Sequence, residues 1–360
     1  MCKVIALCWH SDNSLIKSAG GYTRFWEIAK RATSPLVIID KYPSLYSNLN
    51  NPHITIHTYL SPQIYSRTVL NKILDRLLTP FLIIKVVLGL KLNHQIIYVP
   101  FSELPQLTIA AVILKFLISS KLVLCNLNTN IYFLDRLVNV YLHKLADRVI
   151  TISHELARAL KRTGIYASGV NGVGFDLLPY RQFPKAKKRY DAVFVGRHTL
   201  EKGILDLLEA WSQLSHSPTL ITVGEIPNYL EPEIIRRVNQ LGLGRHVIIM
   251  GKISEQEKLG LMSQSKICVF PSYQEGWGIV PMEALSLGLP VVIYNLPVYK
   301  ESLGDSPALK LVNIGNKPAL SRQIAHTLKH YRKYSLLAAK WRPRYNWETI
   351  ARKEWELICN

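Results

Sequence analysis

The chain has 360 residues, 48% of them hydrophobic, with 44 Lys and Arg against 25 Asp and Glu and a formal net charge of +19. That apolar share excludes a disordered chain, and the length is best matched by two domains of ordinary size. The charge points to anionic partners such as nucleotides or an acidic membrane surface; because the basic residues are spread, the longest cluster being Lys185 to Arg189, nucleic acid is not an expected partner.

The start, MCKVIALCWHSD, reads as a buried strand over Lys3 to Cys8, and its apolar run is too short for a signal-peptide core. Five cysteines, Cys2, Cys8, Cys125, Cys268 and Cys359, show no paired spacing, and three lie within apolar runs, which predicts reduced thiols in a cytosolic setting. The loop that follows places Gly20 and Gly21 immediately before a helix carrying Phe25, Ile28 and Ala29. The glycine pair allows close approach of a ligand, a plain turn accounts for it equally well, and it lacks the spacing of the dinucleotide fingerprint. Strands at Pro35 to Asp40, Ile54 to Tyr59, Gln95 to Val99, Lys121 to Cys125 and Arg148 to Ile152 alternate with apolar helical stretches, predicting a parallel, doubly wound sheet. His53 and His57 would stand ~13 Å apart on a strand, too far to share one metal ion. The segment from Arg76 to Leu92 is broken by Pro80 and Lys85 and reads as helix plus core, not as a membrane span.

A polar, glycine-bearing, basic stretch between about Gly174 and Tyr190 marks the domain boundary, giving a first domain over residues 1–178 and a second over 185–344. The second series opens with a strand at Asp191 to Val195, a loop at Gly196 to Gly203 and an amphipathic helix at Ile204 to Leu214; strands at Leu220 to Val223 and Val247 to Met250 follow. Arg197 and Lys202 stand at the carboxyl end of the first of these strands, where a planar guanidinium and a point charge suit a diphosphate.

The stretch KICVFPSYQEGWGIVPMEALSLGLPVVIY gives strands at Ile267 to Phe270 and Pro290 to Tyr294 around a short helix with Pro281 in its first turn and its end at Gly288. Glu275 lies in the loop and Glu283 is expected in the first helical turn, with seven residues between them. Gly276 and Gly278 leave backbone amides accessible at the helix N-terminus, fit for phosphate, while carboxylates suit sugar hydroxyls. A glutamate there is also favourable through the helix dipole alone.

In these residues the chain resembles the retaining nucleotide-sugar glycosyltransferases of group 1, which have the GT-B architecture. The resemblance is strongest in FVGRHTLEKGILDLLEAW, in HVIIMGKISEQEKLGLMSQSKICVFPSYQEGWGIVPMEALSLGLPVV and in ADRVITISHELARAL followed by NGVGFD. It implies an α/β fold of two Rossmann-like, doubly wound domains facing across a cleft. It places Arg197 and Lys202 on the donor diphosphate, with Gly196 in the same loop. Glu275 and the amides of Gly276, Trp277, Gly278 and Ile279 meet the donor sugar, and Glu283 the ribose hydroxyls. Gly20 and Gly21 line the cleft of an acceptor-binding first domain. A closing helix over residues 345–360 is expected to pack back on that domain, with Trp347 and Trp355 in its core. Where many members carry a histidine reaching the donor sugar, this chain has LVLCNLNTN, with Asn126 or Asn128 at that place.

The implied reaction moves a sugar from a nucleotide diphosphate to an acceptor hydroxyl with retention, using no cofactor and no metal, in the cytoplasm. A catalytically inactive binding protein and a sugar-nucleotide epimerase of the same fold stay open as readings. A phosphorylase would be longer and would carry a pyridoxal-binding lysine context. Residues 1–150 hold 16 Lys and Arg against 7 Asp and Glu beside apolar stretches at Leu77 to Leu92 and Leu107 to Ile118. That suits peripheral contact with an anionic membrane if the acceptor is lipid-linked and not a soluble glycan; helices that simply cover a parallel sheet would look the same.

Overall fold

The computed structural model describes residues 2–8, 20–46, 48–59, 69–92, 95–128, 133–215 and 218–360. The chain forms two compact units, one of Met1–Gly174 with Tyr345–Asn360 and one of Phe175–Arg344. Unit 1 holds strands β1 (Val4–Leu7), β2 (Leu36–Asp40), β3 (Ile54–Thr58), β4 (Ile96–Val99), β5 (Lys121–Asn126), β6 (Arg148–Thr151) and β7 (Gly169–Val170). They form one sheet in the order β3-β2-β1-β4-β5-β6-β7, and every pairing is parallel. Its helices are α1 (Gly20–Lys30), α2 (Val69–Gly89), α3 (Pro105–Leu117), α4 (Phe133–His143), α5 (His154–Lys161) and, returning from the far end of the chain, a last helix at Trp347–Cys359.

The central strand shows why the chain folds this way. Val4 and Ala6 face one core with Phe25 and Ile28 of α1 and Ala351 and Trp355 of the last helix, whereas Ile5 and Leu7 face another with Ile83 and Val87 of α2 and Leu107 and Leu114 of α3. An uninterrupted apolar run is what a parallel strand covered on both faces requires. The last helix is fastened through a fully buried ion pair. Arg24 Nη2 and Nη1 donate to the two oxygens of Glu354 at 2.6 and 3.0 Å, and Tyr98 Oη and Asn171 Nδ2 each donate to Glu354 at 2.6 Å. Burial opposes the ionised carboxyl, but Arg24 and these donors outweigh it and hold Glu354 below the usual carboxylate range.

Unit 2 continues with α6 (Leu178–Arg181), β8 (Tyr190–Val195), α7 (Ile204–Ser212), β9 (Leu220–Val223), α8 (Glu231–Gln240), β10 (Val247–Met250), α9 (Glu255–Ser263), β11 (Ser265–Phe270), α10 (Ile279–Ser286), β12 (Val291–Tyr294), α11 (Pro297–Ser302), β13 (Leu309–Val312), α12 (Lys317–Lys329) and α13 (Tyr331–Ala338); the last helix of unit 1 is α14. Its sheet is also wholly parallel, in the order β10-β9-β8-β11-β12-β13. The ends of β8 and β9 are pinned by His198. Its ring Nε2 lies 2.8 Å from Thr222 Oγ1, its backbone N–H donates to Glu225 O at 2.8 Å, and its side chain is fully buried. Burial pushes its pKa down to about 4, so the ring is neutral at pH 7.

Three expectations need correction. Cys2 and Cys359 form a disulfide, so two of the five cysteines are not thiols; the partners are 357 residues apart, which no spacing rule could reveal. Cys8, Cys125 and Cys268 are buried and free. Gly20 and Gly21 lie inside the first turn of α1 and do not precede it. Helix α10 starts at Ile279, because Gly278 at φ 87° turns the chain into it, so Glu283 is its fifth residue and lies beyond the first turn. Strands β7 and β13 went unpredicted. β7 is two residues long and half glycine, and β13, LKLV, is a half-exposed edge strand with a lysine inside it. No helix among the described residues is long and apolar enough to cross a membrane.

Two measurements test this account. Glu354→Ala strands a buried guanidinium and is expected to lower stability by about 3–5 kcal/mol in urea unfolding, whereas the double change Arg24→Met/Glu354→Leu costs clearly less. His198 has a folded pKa below its unfolded value near 6.5, so the unfolded chain binds the extra proton and stability falls as pH drops from about 6.5 to 4, by about 3 kcal/mol at most. His198→Gln should flatten that part of the pH dependence relative to the wild type.

Candidate active site

The chain runs from β8 outward through β9 to β10 and then returns to the other side of β8 with β11, so the strand order reverses between β8 and β11. Ligands of doubly wound sheets meet the carboxyl ends of the strands at such a point. Two loops emerge there, Gly196 to Gly203 after β8 and Pro271 to Gly278 after β11. They touch directly. A Cβ at Gly203, whose φ is 71°, would stand 2.0 Å from the carbonyl oxygen of Pro271, so only glycine lets the loops come this close. The carbonyl of Glu201 then accepts from the Tyr273 N–H at 2.7 Å and from Ser272 Oγ at 3.2 Å.

This junction brings Lys202 and Glu275 together. Lys202 Nζ donates to Glu275 Oε1 and lies 5.6 Å above the Phe270 ring, in a surround that leaves both side chains mostly covered. Arg197, from the same loop as Lys202, is exposed. Gly196 and Gly276 are half-buried. Trp277 is buried at 3%, so its ring anchors the loop and only its backbone is left to face a ligand. At Gly278 a Cβ would come within 2.7 Å of the Tyr299 ring. Helix α10 therefore begins against α11, with no side chain capping its first amides at Ile279. Uncapped amides and the positive helix end are suited to an anion.

Glu283 sits deeper. It is 5% exposed and accepts from Lys258 Nζ at 2.8 and 2.9 Å and from Tyr180 Oη at 3.2 Å. Burial pushes the Glu283 carboxyl up, against the pull of Lys258. Burial also opposes the charge of Lys258, but Glu283 and then Glu255 outweigh it and raise its pKa. Lys258 and Tyr180 escaped the sequence reading. Lys258 is one lysine among many, and nothing in its spacing shows that α9 turns it toward α10. Tyr180 stacks on Phe175, with ring centroids 4.8 Å apart, in a segment that read only as a boundary. Asp206 was missed too: it accepts from Tyr273 Oη at 2.6 Å and from Tyr294 Oη at 2.5 Å, fixing the β11 loop from below.

In unit 1, a Cβ at Gly21 would stand 3.0 Å from Leu127 and 3.2 Å from Phe101, so α1 starts in close packing with the ends of β4 and β5. Gly20 is the first residue of that helix. The amide of Asn126 is 1% exposed and makes no hydrogen bond among the described residues. The loop before α1, residues 9–19, lies outside the described residues, as do residues 129–132 after β5. His53 precedes β3 and His57 lies within it; among the described residues no three His, Cys, Asp or Glu side chains converge on a metal-binding group.

Residues 180–342 match the family model described as glycosyl transferases group 1. Among curated proteins, the chain is 27% identical over 197 residues to TuaC of Bacillus subtilis, a glycosyltransferase named for teichuronic acid biosynthesis, covering 52% of this chain and 47% of the relative. It is 26% identical over 212 residues to a phosphatidyl-myo-inositol mannosyltransferase of Mycobacterium leprae, 55% of each. The chain thus spans about half the length of the curated relatives it matches. The crystal structure of Anabaena HepE in complex with UDP and glucose superposes with a TM-score of 0.76 over 99% of both chains at 20% identity, a likeness of fold. In its second unit, where the family match and the paired loops coincide, the chain is similar to the group 1 glycosyltransferases, and it has the GT-B fold.

Proposed function

We propose that the protein transfers a sugar from a nucleoside diphosphate sugar to a hydroxyl of a glycan or lipid-linked acceptor, with retention at the anomeric carbon. The observation that carries this reading is the junction of the β8 and β11 loops, where Lys202, Glu275 and the uncapped start of α10 are held by the glycine contact at Gly203. HepE, a neighbour in fold, has been solved with UDP and with UDP-glucose, so these are the first ligands to test.

In this reading unit 2 takes the donor. Arg197 and Lys202 meet the diphosphate, Glu275 and the amides from Gly276 to Ile279 meet the sugar, and Glu283 meets the ribose hydroxyls, steadied by Lys258. Lys202 is paired with Glu275. A diphosphate gives that ammonium a doubly charged partner and releases Glu275 toward the sugar. As the glycosidic bond breaks, negative charge grows on the leaving diphosphate, and fixed cations and amides stabilise it more then than before. These charges take the part that a metal ion would otherwise play, and no cofactor is assigned. In this reading the departing phosphate receives the acceptor proton. Unit 1 takes the acceptor.

Calorimetry with UDP tests the donor half. Arg197→Ala and Lys202→Ala are expected to weaken binding by roughly 1.5–3 kcal/mol each, and Glu283→Ala by less, through lost charge-assisted hydrogen bonds. Unchanged affinity in all three variants removes the assignment. Glu275→Gln should keep UDP affinity while depressing turnover of a nucleotide sugar, followed as release of the nucleoside diphosphate.

A further inference from the structure

On unit 1, α2 packs beside α3 and α3 beside α4. The inner sides of α2 and α3 already cover the sheet, with Ile83, Val87, Leu107, Ala110, Ala111 and Leu114 almost wholly buried. Their outer sides are apolar as well. Along α2, Leu77, Phe81 and Leu88 stand 61%, 70% and 43% exposed; at about 100° per residue they fall in a stripe roughly 40° wide. Ile113, Phe116 and Leu117 continue it on α3, with Phe116 67% exposed, and Val138, Tyr141 and Leu145 on and just after α4, with Tyr141 at 70%. Three adjacent helices each presenting a stripe of large apolar side chains make a patch, not a scatter of single residues.

Among the described residues, the unpaired exposed charge around this patch is positive. Lys85 on α2, Lys91 just beyond it and Lys144 just beyond α4 are exposed, and none is in an ion pair among the described residues. Lys144 Nζ lies 5.9 Å over the Tyr141 ring. The acid beside them, Asp147, is neutralised by Lys115 at 2.9 Å. We propose that the α2–α3–α4 face of unit 1 seats on an anionic phospholipid surface, with Leu77, Phe81, Phe116 and Tyr141 entering the boundary between headgroups and acyl chains and Lys85, Lys91 and Lys144 on lipid phosphates. Apolar side chains rimmed by lysines are what an interfacial contact needs, since the first gain from leaving water and the second from the negative surface potential. A second copy of this chain fits less well. In a two-fold dimer the patch meets itself, and the lysines of one copy face those of the other.

The inference rests on unit 1 alone and goes beyond the donor reading. Its test is sedimentation of the full chain with vesicles of phosphatidylcholine, with and without phosphatidylglycerol, at low and high salt. The wild type is expected to sediment with the anionic vesicles, less so at high salt, and hardly with the neutral ones. Each lysine lost should lower the partition about fivefold, so Lys85→Glu/Lys144→Glu weakens it by about 25-fold or more. Phe81→Glu/Phe116→Glu, at exposed positions that leave the sheet covered, should abolish binding while the thermal unfolding midpoint holds. Absence of wild-type binding to anionic vesicles overturns the inference, as does binding by both variants equal to the wild type. A wild-type dimer in analytical ultracentrifugation that Phe81→Glu/Phe116→Glu dissociates, without vesicle binding, also overturns it and gives the face to a second copy. Calorimetry with UDP on the same samples reads the donor assignment separately, so failure of one is distinguishable from failure of the other.

Discussion

A parallel sheet leaves no face for water, and this requirement fixes the place of most helices in both units. In unit 1 alternate residues of β1 feed two separate cores, one closed by α1 and α14, the other by α2 and α3. With both faces taken, what stays free is the edge where the strands end, and the loops there are released from any duty to cover the sheet. The chemistry-bearing residues of unit 2 occupy that edge for this reason. The same requirement explains why an apolar helix in this fold is ambiguous by composition: one side of α2 is needed as a lid on the sheet, and only its outer stripe is available for anything else.

The electrostatics of the loop junction follow from how tightly it is built. Lys202 and Glu275 come from chain segments more than seventy residues apart, and they meet because the backbone at Gly203 can lie against Pro271. Glu283 is held differently, under a lysine and a tyrosine and almost out of water. The first pair joins two loops at the carboxyl edge of the sheet, whereas the second lies between helices, with two donors on one carboxylate. Two glutamates alike in sequence thus differ in partners and in depth.

Much of this was legible beforehand. Strands β9 and β10 fall where four-residue apolar runs put them, and the glycine-bracketed loops announce the carboxyl edge, because periodicity and turn residues are local signals. What was not legible depends on distant partners. Cys2 and Cys359 could be matched only by folding unit 1, and Lys258 acquires meaning only once α9 lies beside α10. The start of α10 was misjudged for a local reason. Pro281 does stand in the first turn, but Gly278 in the left-handed region opens the helix at Ile279, early enough to carry Glu283 past that turn. β13 was hidden because an edge strand with a lysine inside it lacks the apolar signal of a central one.

The disulfide between Cys2 and Cys359 carries a consequence for connectivity. Unit 1 is built from both ends of the chain, and these ends are covalently joined with their Cα atoms 5.7 Å apart. Unit 2 is then a guest domain, spliced into a host whose backbone departs at Gly174 and resumes at Tyr345. With the ends joined, the host is a closed ring through the guest. Proteolytic nicking of a loop within unit 2 would leave both fragments linked under oxidising conditions and would release them only after reduction.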